Sequence, residues 1–170
     1  MTTKIYLAGP DVFLTDAVEV GRRKKEMCRE FGFEGLFPLD NEFAGEPSGA
    51  EIYRANCELM LQAEIGFFNL SPFRGPSADA GTVFELGLMR GMGKPLFGYR
   101  NSTSLYHQRV TPDQYSIERF GLGDNLMIDC CLTDLGGKVT EVAENSLAAF
   151  SAFRETLTAA WRLLHGSAVG

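Results

Sequence analysis

The sequence Ala78-Asp79-Ala80-Gly81-Thr82-Val83-Phe84-Glu85-Leu86-Gly87-Leu88-Met89 predicts a helix that directly follows a strand and a loop. Its helical part is apolar except for one carboxylate in the middle, Glu85. Asp79 stands where the helix should begin, a position that favours Asp because its side-chain oxygen accepts a bond from a free backbone N–H. Upstream, residues 65–70 predict a short buried strand, and the Pro and Gly content of residues 70–76 predicts a loop.

Glu85 is the candidate functional residue of this helix. Helical side chains lean back over the preceding turn, so Glu85 is predicted to reach over Gly81 and Thr82, and Gly81 has no side chain to fill the space. A carboxylate above a small gap near a helix N-terminus suits a bound sugar. The alternative is that Glu85 is a partly solvated helix residue and Asp79 only a cap. The residues by themselves leave both interpretations open.

Length and charge bound the class of protein. A chain of 170 residues with 45% hydrophobic content predicts a single domain, residues 1–170, with a sizeable core. The net charge of −6 disfavours a nucleic-acid partner. We expect no contact with membranes, since no apolar run is long enough to span one. Residues 1–4 lead directly into a strand pattern, so we expect no signal peptide.

The cysteines and histidines give no metal-binding pattern. The chain has four cysteines and two histidines: Cys28, Cys57, Cys130, Cys131, His107 and His165. No CxxC pair occurs, and two histidines at these positions do not complete a zinc site by spacing. We therefore expect no metal, no cofactor and a reduced, cytoplasmic setting.

Strands and helices alternate along the chain. Strands are predicted at residues 4–8, 36–38, 65–70, 94–99 and, weakly, 138–142, and helices at 15–31, 50–63, 79–89 and 143–164. This alternation predicts an α/β fold, a flavodoxin-like doubly wound five-stranded parallel sheet between two helical layers. Ligands of such folds bind beyond the carboxyl ends of the strands, at the switch point between the first and third strands. The segments that should converge there are 9–13, 40–42 and 71–79. Residues 100–124 predict a long irregular loop.

Several kinds of chemistry lack the residues that they need at that edge of the sheet. The sequence has no GxxxxGK[ST] motif and no GxGxxG after the first strand, which leaves phosphate-loop binding unsupported. Neither histidine directly follows a strand end, so Ser or Cys nucleophilic catalysis lacks its base there. What remains is a carboxylate acting on a sugar carbon. Glycosidic bonds break through cation-like transition states that one carboxylate can trap while another moves the proton.

Several motifs, in order from about residue 4 to residue 128, resemble the nucleoside 2-deoxyribosyltransferase family. They are Tyr6-Leu7-Ala8-Gly9-Pro10 with Phe13, Pro38-Leu39-Asp40-Asn41-Glu42, Ser71-Pro72-Phe73-Arg74-Gly75, Asp79-x-Gly81-Thr82-x-x-Glu85-Leu86-Gly87 and Asn125-Leu126-Met127. The resemblance implies an enzyme that exchanges the base of a 2′-deoxynucleoside through a covalent deoxyribosyl intermediate, with slow hydrolysis as a side reaction. Its partners are deoxynucleosides and free nucleobases.

The resemblance also implies three catalytic roles. Glu85 matches the nucleophile that attacks C1′ of the sugar. Asp79 matches the acid that protonates the departing base and later deprotonates the incoming one. Tyr6 matches a tyrosine whose hydroxyl holds the nucleophilic carboxylate. Without the resemblance, Tyr6 would be interpreted as a core residue of the first strand.

Six further positions match the substrate site of the family: Gly9, Phe13, Glu42, Asn56, Asn125 and Met127. Phe13 and Glu42 match positions around the base, and Asn56 lies near the sugar hydroxyls, where some members carry Asp. Asn125 matches an asparagine that a neighbouring subunit contributes to the 5′-hydroxyl, and Met127 should line the same pocket. The resemblance therefore implies a homo-oligomer, at least a dimer.

Other functions stay open at this point. Related deoxynucleoside 5′-monophosphate N-glycosidases should place Ser and Arg around a phosphate; Asn125 favours a free nucleoside instead, although Arg74 argues for phosphate. Cytokinin-activating phosphoribohydrolases share the GTxxE string but expect Pro-Gly-Gly where this chain has residues 76–80, PSADA. A non-catalytic nucleotide-sensing module would use Glu85 only to bind ribose hydroxyls. The preference for purines or pyrimidines depends on the pocket around Phe13 and Glu42 and on residues 100–124.

Overall fold

A computed structural model describes residues 2–134 and 137–166 of the chain. The strands in this part are β1 (Thr3–Ala8), β2 (Phe33–Leu36), β3 (Ile65–Asn69), β4 (Leu96–Arg100) and β5 (Val139–Glu141). They pair in parallel in the order β2-β1-β3-β4-β5. The predicted flavodoxin-like parallel sheet is confirmed.

Helices cover both faces of the sheet. They are α1 (Ala17–Glu30), α2 (Gly49–Gln62), α3 (Ala80–Gly91), α4 (Tyr106–Arg109), α5 (Leu126–Thr133) and α6 (Phe150–His165). Alternate residues of β1 serve opposite faces, as the pleat of a strand requires. Ile5 packs with residues of α1 and α6 in one buried cluster. Tyr6 packs with residues of α2, α3 and α5 in the other, so Tyr6 points toward the layer that holds Glu85.

The structure corrects the sequence prediction at four elements. The last helix was predicted at residues 143–164 but begins at Phe150, and residues 106–109, inside the predicted irregular loop, form the short helix α4. The second strand was predicted at residues 36–38 but lies at Phe33–Leu36, because Pro38 begins a 3-10 turn and proline cannot donate to a strand ladder. Residues 126–133 form helix α5, which the sequence analysis did not predict. Its buried positions, such as Ile128 and Leu132, are too few in eight residues to give a clear helical period.

The carboxyl ends of β1 and β3 meet at one edge of the sheet. Ala8 pairs with Phe68, so the segments that follow these two strands start side by side. Gly9 makes this approach possible: a Cβ there would lie 2.5 Å from the Cβ of Asn69 and 2.6 Å from Oδ2 of Asp11. A 3-10 turn at Pro10–Phe13 then leads to α1.

None of the helices in the described part of the chain has the length and apolar character needed to cross a membrane.

Candidate active site

Glu85 projects from the middle of α3 toward β1. The hydroxyl of Tyr6 donates a hydrogen bond of 2.7 Å to Oε1 of Glu85. Burial raises the pKa of Glu85 to about 7; the Tyr6 hydrogen bond opposes this rise and the charge of Asp79 adds to it. Burial, together with the nearby Glu85 charge, raises the pKa of Tyr6 well above its ordinary value, so Tyr6 keeps its proton and remains the donor.

Asp79 caps α3, as its position in the sequence predicts. Its Oδ2 accepts hydrogen bonds from the backbone N–H of Thr82 at 3.0 Å and from the Thr82 hydroxyl at 3.1 Å. A Cβ at Gly81 would lie 3.1 Å from the same oxygen, so the glycine leaves room for the Asp79 carboxylate. Because the cap uses one carboxylate oxygen, the other can carry a proton. Capping and acid chemistry are therefore compatible in one side chain.

The side chains of Phe13, Phe73 and Arg74 lie where β1 and β3 end, and we call these three residues the rim. Phe13 and Phe73 stack with ring centroids 5.2 Å apart and an angle of 9° between planes. The guanidinium of Arg74 lies 5.4 Å from the Phe13 ring centroid and 4.9 Å from that of Phe73. The backbone of Arg74 has φ 54°, a left-handed conformation that costs a non-glycine residue energy. Phe13 is 54% exposed, so the rim is open to a ligand.

The loop after β2 contacts α2 through amides. Nδ2 of Asn41 donates to the backbone oxygen of Pro38 at 2.9 Å and to Oδ1 of Asn56 at 3.3 Å. Glu42 follows on the same loop and is exposed. Cys57, next to Asn56 on α2, packs against the cluster that contains Tyr6. This loop and α2 thus lie on the Tyr6 side of the sheet.

Asn125 and Met127 lie elsewhere on the chain. Asn125 caps α5, accepting from the Met127 N–H at 2.9 Å, and its Nδ2 donates to Oε1 of Glu118 at 2.8 Å. Both residues line an open groove of about 910 Å³ between α3 and α5. On α3 this groove is lined by residues such as Val83 and Gly87, which helical periodicity places opposite Glu85. Within one chain, Asn125 is therefore not brought to Glu85.

Comparison with known proteins adds to this geometry. The family model described as nucleoside 2-deoxyribosyltransferase matches residues 5–127. The chain belongs to the nucleoside 2-deoxyribosyltransferase family. The resemblance noted in the sequence is thereby confirmed. The family contains enzymes that transfer glycosyl groups or hydrolyse glycosidic bonds.

Solved structures share the fold. A 2-deoxyribosyltransferase from Leishmania mexicana superposes with a TM-score of 0.69 and 32% identity, over 90% of this chain and 97% of the other. A 2-deoxyribosyltransferase from Bacillus psychrosaccharolyticus gives a TM-score of 0.51 and 21% identity, over 64% of this chain and 82% of the other. A CMP N-glycosidase from Clostridium botulinum gives a TM-score of 0.55 and 14% identity, over 92% of this chain and 99% of the other. At the last two identities the likeness shows the fold alone.

One curated relative matches this chain over only part of its own length. An uncharacterized protein from Schizosaccharomyces pombe is 35% identical over 113 residues, which is 62% of this chain and 54% of that protein. The chain thus matches about half the length of this relative.

Sequence analysis missed a buried polar network beneath the rim. Nζ of Lys24 lies 3.0 Å from Oδ1 of Asp11 and 2.9 Å from the Tyr99 hydroxyl, and Nδ2 of Asn69 donates to Asp11 at 3.1 Å. Burial lowers the pKa of Lys24, while the charge of Asp11 opposes the shift. The network fixes the turn that carries Phe13. The position of Asp11 directly after Gly9-Pro10 was the available signal, but Lys24 looks like an ordinary surface residue of a charged helix.

Proposed function

We propose that this protein transfers the 2-deoxyribosyl group of a 2′-deoxynucleoside to a second nucleobase through a covalent bond to Glu85. The observation that carries the proposal is the 2.7 Å hydrogen bond from Tyr6 to Glu85, in a member of the nucleoside 2-deoxyribosyltransferase family. The free Oε2 of Glu85 attacks C1′, and the C1′–N bond to the base breaks. The incoming base then attacks C1′, and the bond to Glu85 breaks. Two displacements at one carbon retain its configuration.

Tyr6 orients the nucleophile in this scheme. Its hydroxyl bonds one oxygen of Glu85 and leaves the other for the sugar. The same bond favours the ionised carboxylate, since it opposes the effect of burial on the pKa of Glu85. Tyr6 is thus proposed to act on the geometry and ionisation of Glu85 and to keep its own proton throughout.

Asp79 moves the proton of the base. In the first displacement it gives a proton to the departing base, and in the second it takes a proton from the incoming one. Its support is its place at the N-terminus of the helix that carries Glu85, close enough for its charge to raise the pKa of Glu85. The Thr82 N–H and hydroxyl hold one oxygen still while the other exchanges the proton.

The base is proposed to bind at the rim, against Phe13, with Glu42 as a hydrogen-bonding partner. Gly9, in the turn that joins β1 to Phe13, is also proposed to border the substrate. Asn56, half-buried on α2, is proposed to contact a sugar hydroxyl. The four cysteines are all free thiols, which supports a reduced, cytoplasmic setting.

A second subunit is proposed to complete the site. Asn125 lies on the far side of α3 from Glu85 of its own chain, and Met127 is 73% exposed. Both features fit residues that reach a neighbour, with the Asn125 amide bonding the 5′-hydroxyl of the sugar there. We therefore propose a homo-oligomer, at least a dimer.

A specific observation favours a second candidate, the N-glycosidase reaction on a deoxynucleoside 5′-monophosphate. Arg74 is exposed at the rim, and none of the ion pairs among the described residues includes it. A phosphate would give this guanidinium a partner. Arg74→Gln should then raise KM for the monophosphate and leave free nucleosides unaffected.

One experiment separates these functions. Each 2′-deoxynucleoside is mixed with each free base, and the products are separated by chromatography, with the monophosphates tested in parallel. Exchange products with the β configuration support the transferase, and hydrolysis confined to monophosphates supports the N-glycosidase. A sensing module returns every compound unchanged. Ribonucleosides should be poor donors, since the 2′-hydroxyl disfavours the cationic transition state.

A further inference from the structure

Hydrogen bonds join two segments of one chain that the proposed mechanism places in the active sites of different subunits. One is the end of the loop before Asp79, and the other is the turn before Asn125. The link is Asp124, whose side chain is 1% exposed. Its Oδ2 accepts a hydrogen bond from the N–H of Ala78 at 2.9 Å, and its Oδ1 accepts from the hydroxyl of Ser77 and from the N–H of Asn125 at 2.8 Å.

Arg109 ties the same two segments a second time. Its Nε donates to the backbone oxygen of Pro76 at 2.9 Å, and another guanidinium nitrogen donates to the backbone oxygen of Gly123. The third nitrogen donates to the backbone oxygen of Ser104. Every bond from Arg109 goes to a main-chain oxygen, so this residue fixes backbone positions.

The Asn125 turn is also held from its own side. The carboxylate of Asp129 accepts from the N–H of Gly123 at 2.9 Å and from the N–H of Asp124 at 3.2 Å, and it pairs with the buried guanidinium of Arg100. These bonds leave the backbone of the turn little freedom of its own. We therefore expect a shift of the Asp79 loop to be passed through Asp124 to the start of α5.

We propose that Asp124 is a positioning residue that couples Asp79, which serves the chain's own site, to Asn125, which serves the neighbour's site. The inference rests on the proposed function and deepens it, because it names what aligns the acid and the 5′-hydroxyl contact together. Ala78 immediately precedes Asp79 and Asn125 immediately follows Asp124, so each residue lies next to a backbone group that Asp124 holds. Closure of one site on its base would then adjust the sugar contact in the next.

The test uses Asp124→Asn in the full-length chain. An amide has one acceptor oxygen, so it cannot accept from Ser77, Ala78 and Asn125 as the carboxylate does. Misplacing both segments should lower kcat/KM for exchange with 2′-deoxyguanosine by roughly 10- to 100-fold.

Two modified donors give a readout that general damage to the fold would not. The 7-methylated 2′-deoxyguanosine cation needs no proton from Asp79, and 2′,5′-dideoxyguanosine cannot use the Asn125 amide. If Asp124 positions both residues, the loss caused by Asp124→Asn should shrink several-fold for each modified donor relative to the wild type. A loss of equal size for all three donors overturns the proposal. A loss that shrinks for one donor alone also overturns it, because that result assigns Asp124 to a single segment.

A matched control is Glu30→Gln. Glu30 pairs with Arg154 at 2.8 Å and joins α1 to α6, outside the groove between α3 and α5. This variant should leave kcat/KM within about 2-fold for every donor, since the pair is exposed. A donor pattern like that of Asp124→Asn in this control would also overturn the proposal.

A milder variant covers the case in which Asp124→Asn does not fold. Ser77→Ala removes one bond to Asp124 and should show the same donor pattern with a loss of about 2- to 5-fold. An even loss for all donors in Ser77→Ala counts against the coupling as well. Failure of the proposed function is separate: a wild-type protein that exchanges no base overturns both, whereas active wild type with donor-independent losses overturns the coupling alone.

Discussion

On the face of α3 that meets the sheet, Glu85 is partly buried and hydrogen-bonded to Tyr6 of β1. On the opposite face, Val83 and Gly87 line an open groove, together with the exposed Met127. The first face is finished within one chain, and its burial alters the ionisation of the carboxylate it holds. The second face is unfinished. The difference fits the proposal that one chain builds the chemical half of the site and that a neighbouring subunit supplies the contact to the 5′-hydroxyl of the sugar.

The largest expected effect is on the finished face. Glu85→Ala removes the proposed sugar acceptor, so exchange and slow hydrolysis should both fall by about 10⁴-fold or more. Initial rates by chromatography measure the loss. Glu58→Ala, which removes an exposed glutamate of α2, is the control and should keep full activity. Residual exchange above about one-tenth of wild type would mean that Glu85 is not the nucleophile.

Asp79→Asn should have the next largest effect, roughly 10²–10⁴-fold on kcat, because only proton transfer is lost. Asn caps helices about as well as Asp, so the melting temperature should hardly change. The defect should shrink for a 7-alkylated, already cationic purine donor. If both donors lose activity equally, Asp79 is a structural cap and the acid lies elsewhere.

Asn125→Ala tests the unfinished face. We expect a KM increase of about 10-fold for the donor, since one hydrogen bond to the sugar is worth about 1 kcal/mol or slightly more. The variant also loses the cap of α5, at about 1 kcal/mol of stability. Asn125→Ser keeps a capping oxygen without the amide donor, so it should share the KM increase and keep the stability.

Subunit mixing extends that test. Glu85→Ala protein mixed with Asn125→Ala protein should give a fraction of sites with the wild-type KM for the donor, because some mixed sites contain both native residues. Activity should also fall on dilution below the dissociation constant of the oligomer. A fully active monomer in sedimentation would contradict the interface and make the two faces of α3 independent.

The smallest expected effect concerns ionisation. The pKa of Glu85 is raised to about 7, and the nucleophile must be ionised, so kcat/KM for the donor should rise with pH through about 7. Tyr6→Phe removes the hydrogen bond that holds this pKa down. The acid limb of the profile should therefore move to higher pH, and a move of about one pH unit lowers kcat/KM about 5-fold at neutral pH. An unchanged limb would show that Tyr6 does not tune Glu85.

Local patterns in the sequence were sufficient for much of this architecture. Alternating strands and helices predicted the sheet, and the position of Asp79 before an apolar run predicted its cap, because both depend on near neighbours. The roles of Glu85 and Tyr6 came from the family resemblance and stay predictions.

Local patterns could not predict contacts between distant residues, and the Tyr6–Glu85 hydrogen bond was expected only through the family resemblance. Lys24 is buried because Asp11 and Tyr99 surround its ammonium, which nothing in a charged helix reveals. Asp124 reaches Ala78 across 46 positions, and that contact exists only once the sheet has formed. Such pairings depend on tertiary structure, so a single sequence carries no local signal for them.

Trapping the intermediate shows whether the deoxyribosyl group becomes bonded to Glu85. The protein is incubated with a 2′-deoxynucleoside, without an acceptor base, then denatured rapidly and digested for mass spectrometry. We expect one deoxyribosyl adduct on the peptide containing Glu85, with fragmentation assigning it to that side chain, and no adduct in Glu85→Ala. A sugar attached to any other residue, or exchange that proceeds with no adduct and with inverted configuration, would contradict this expectation.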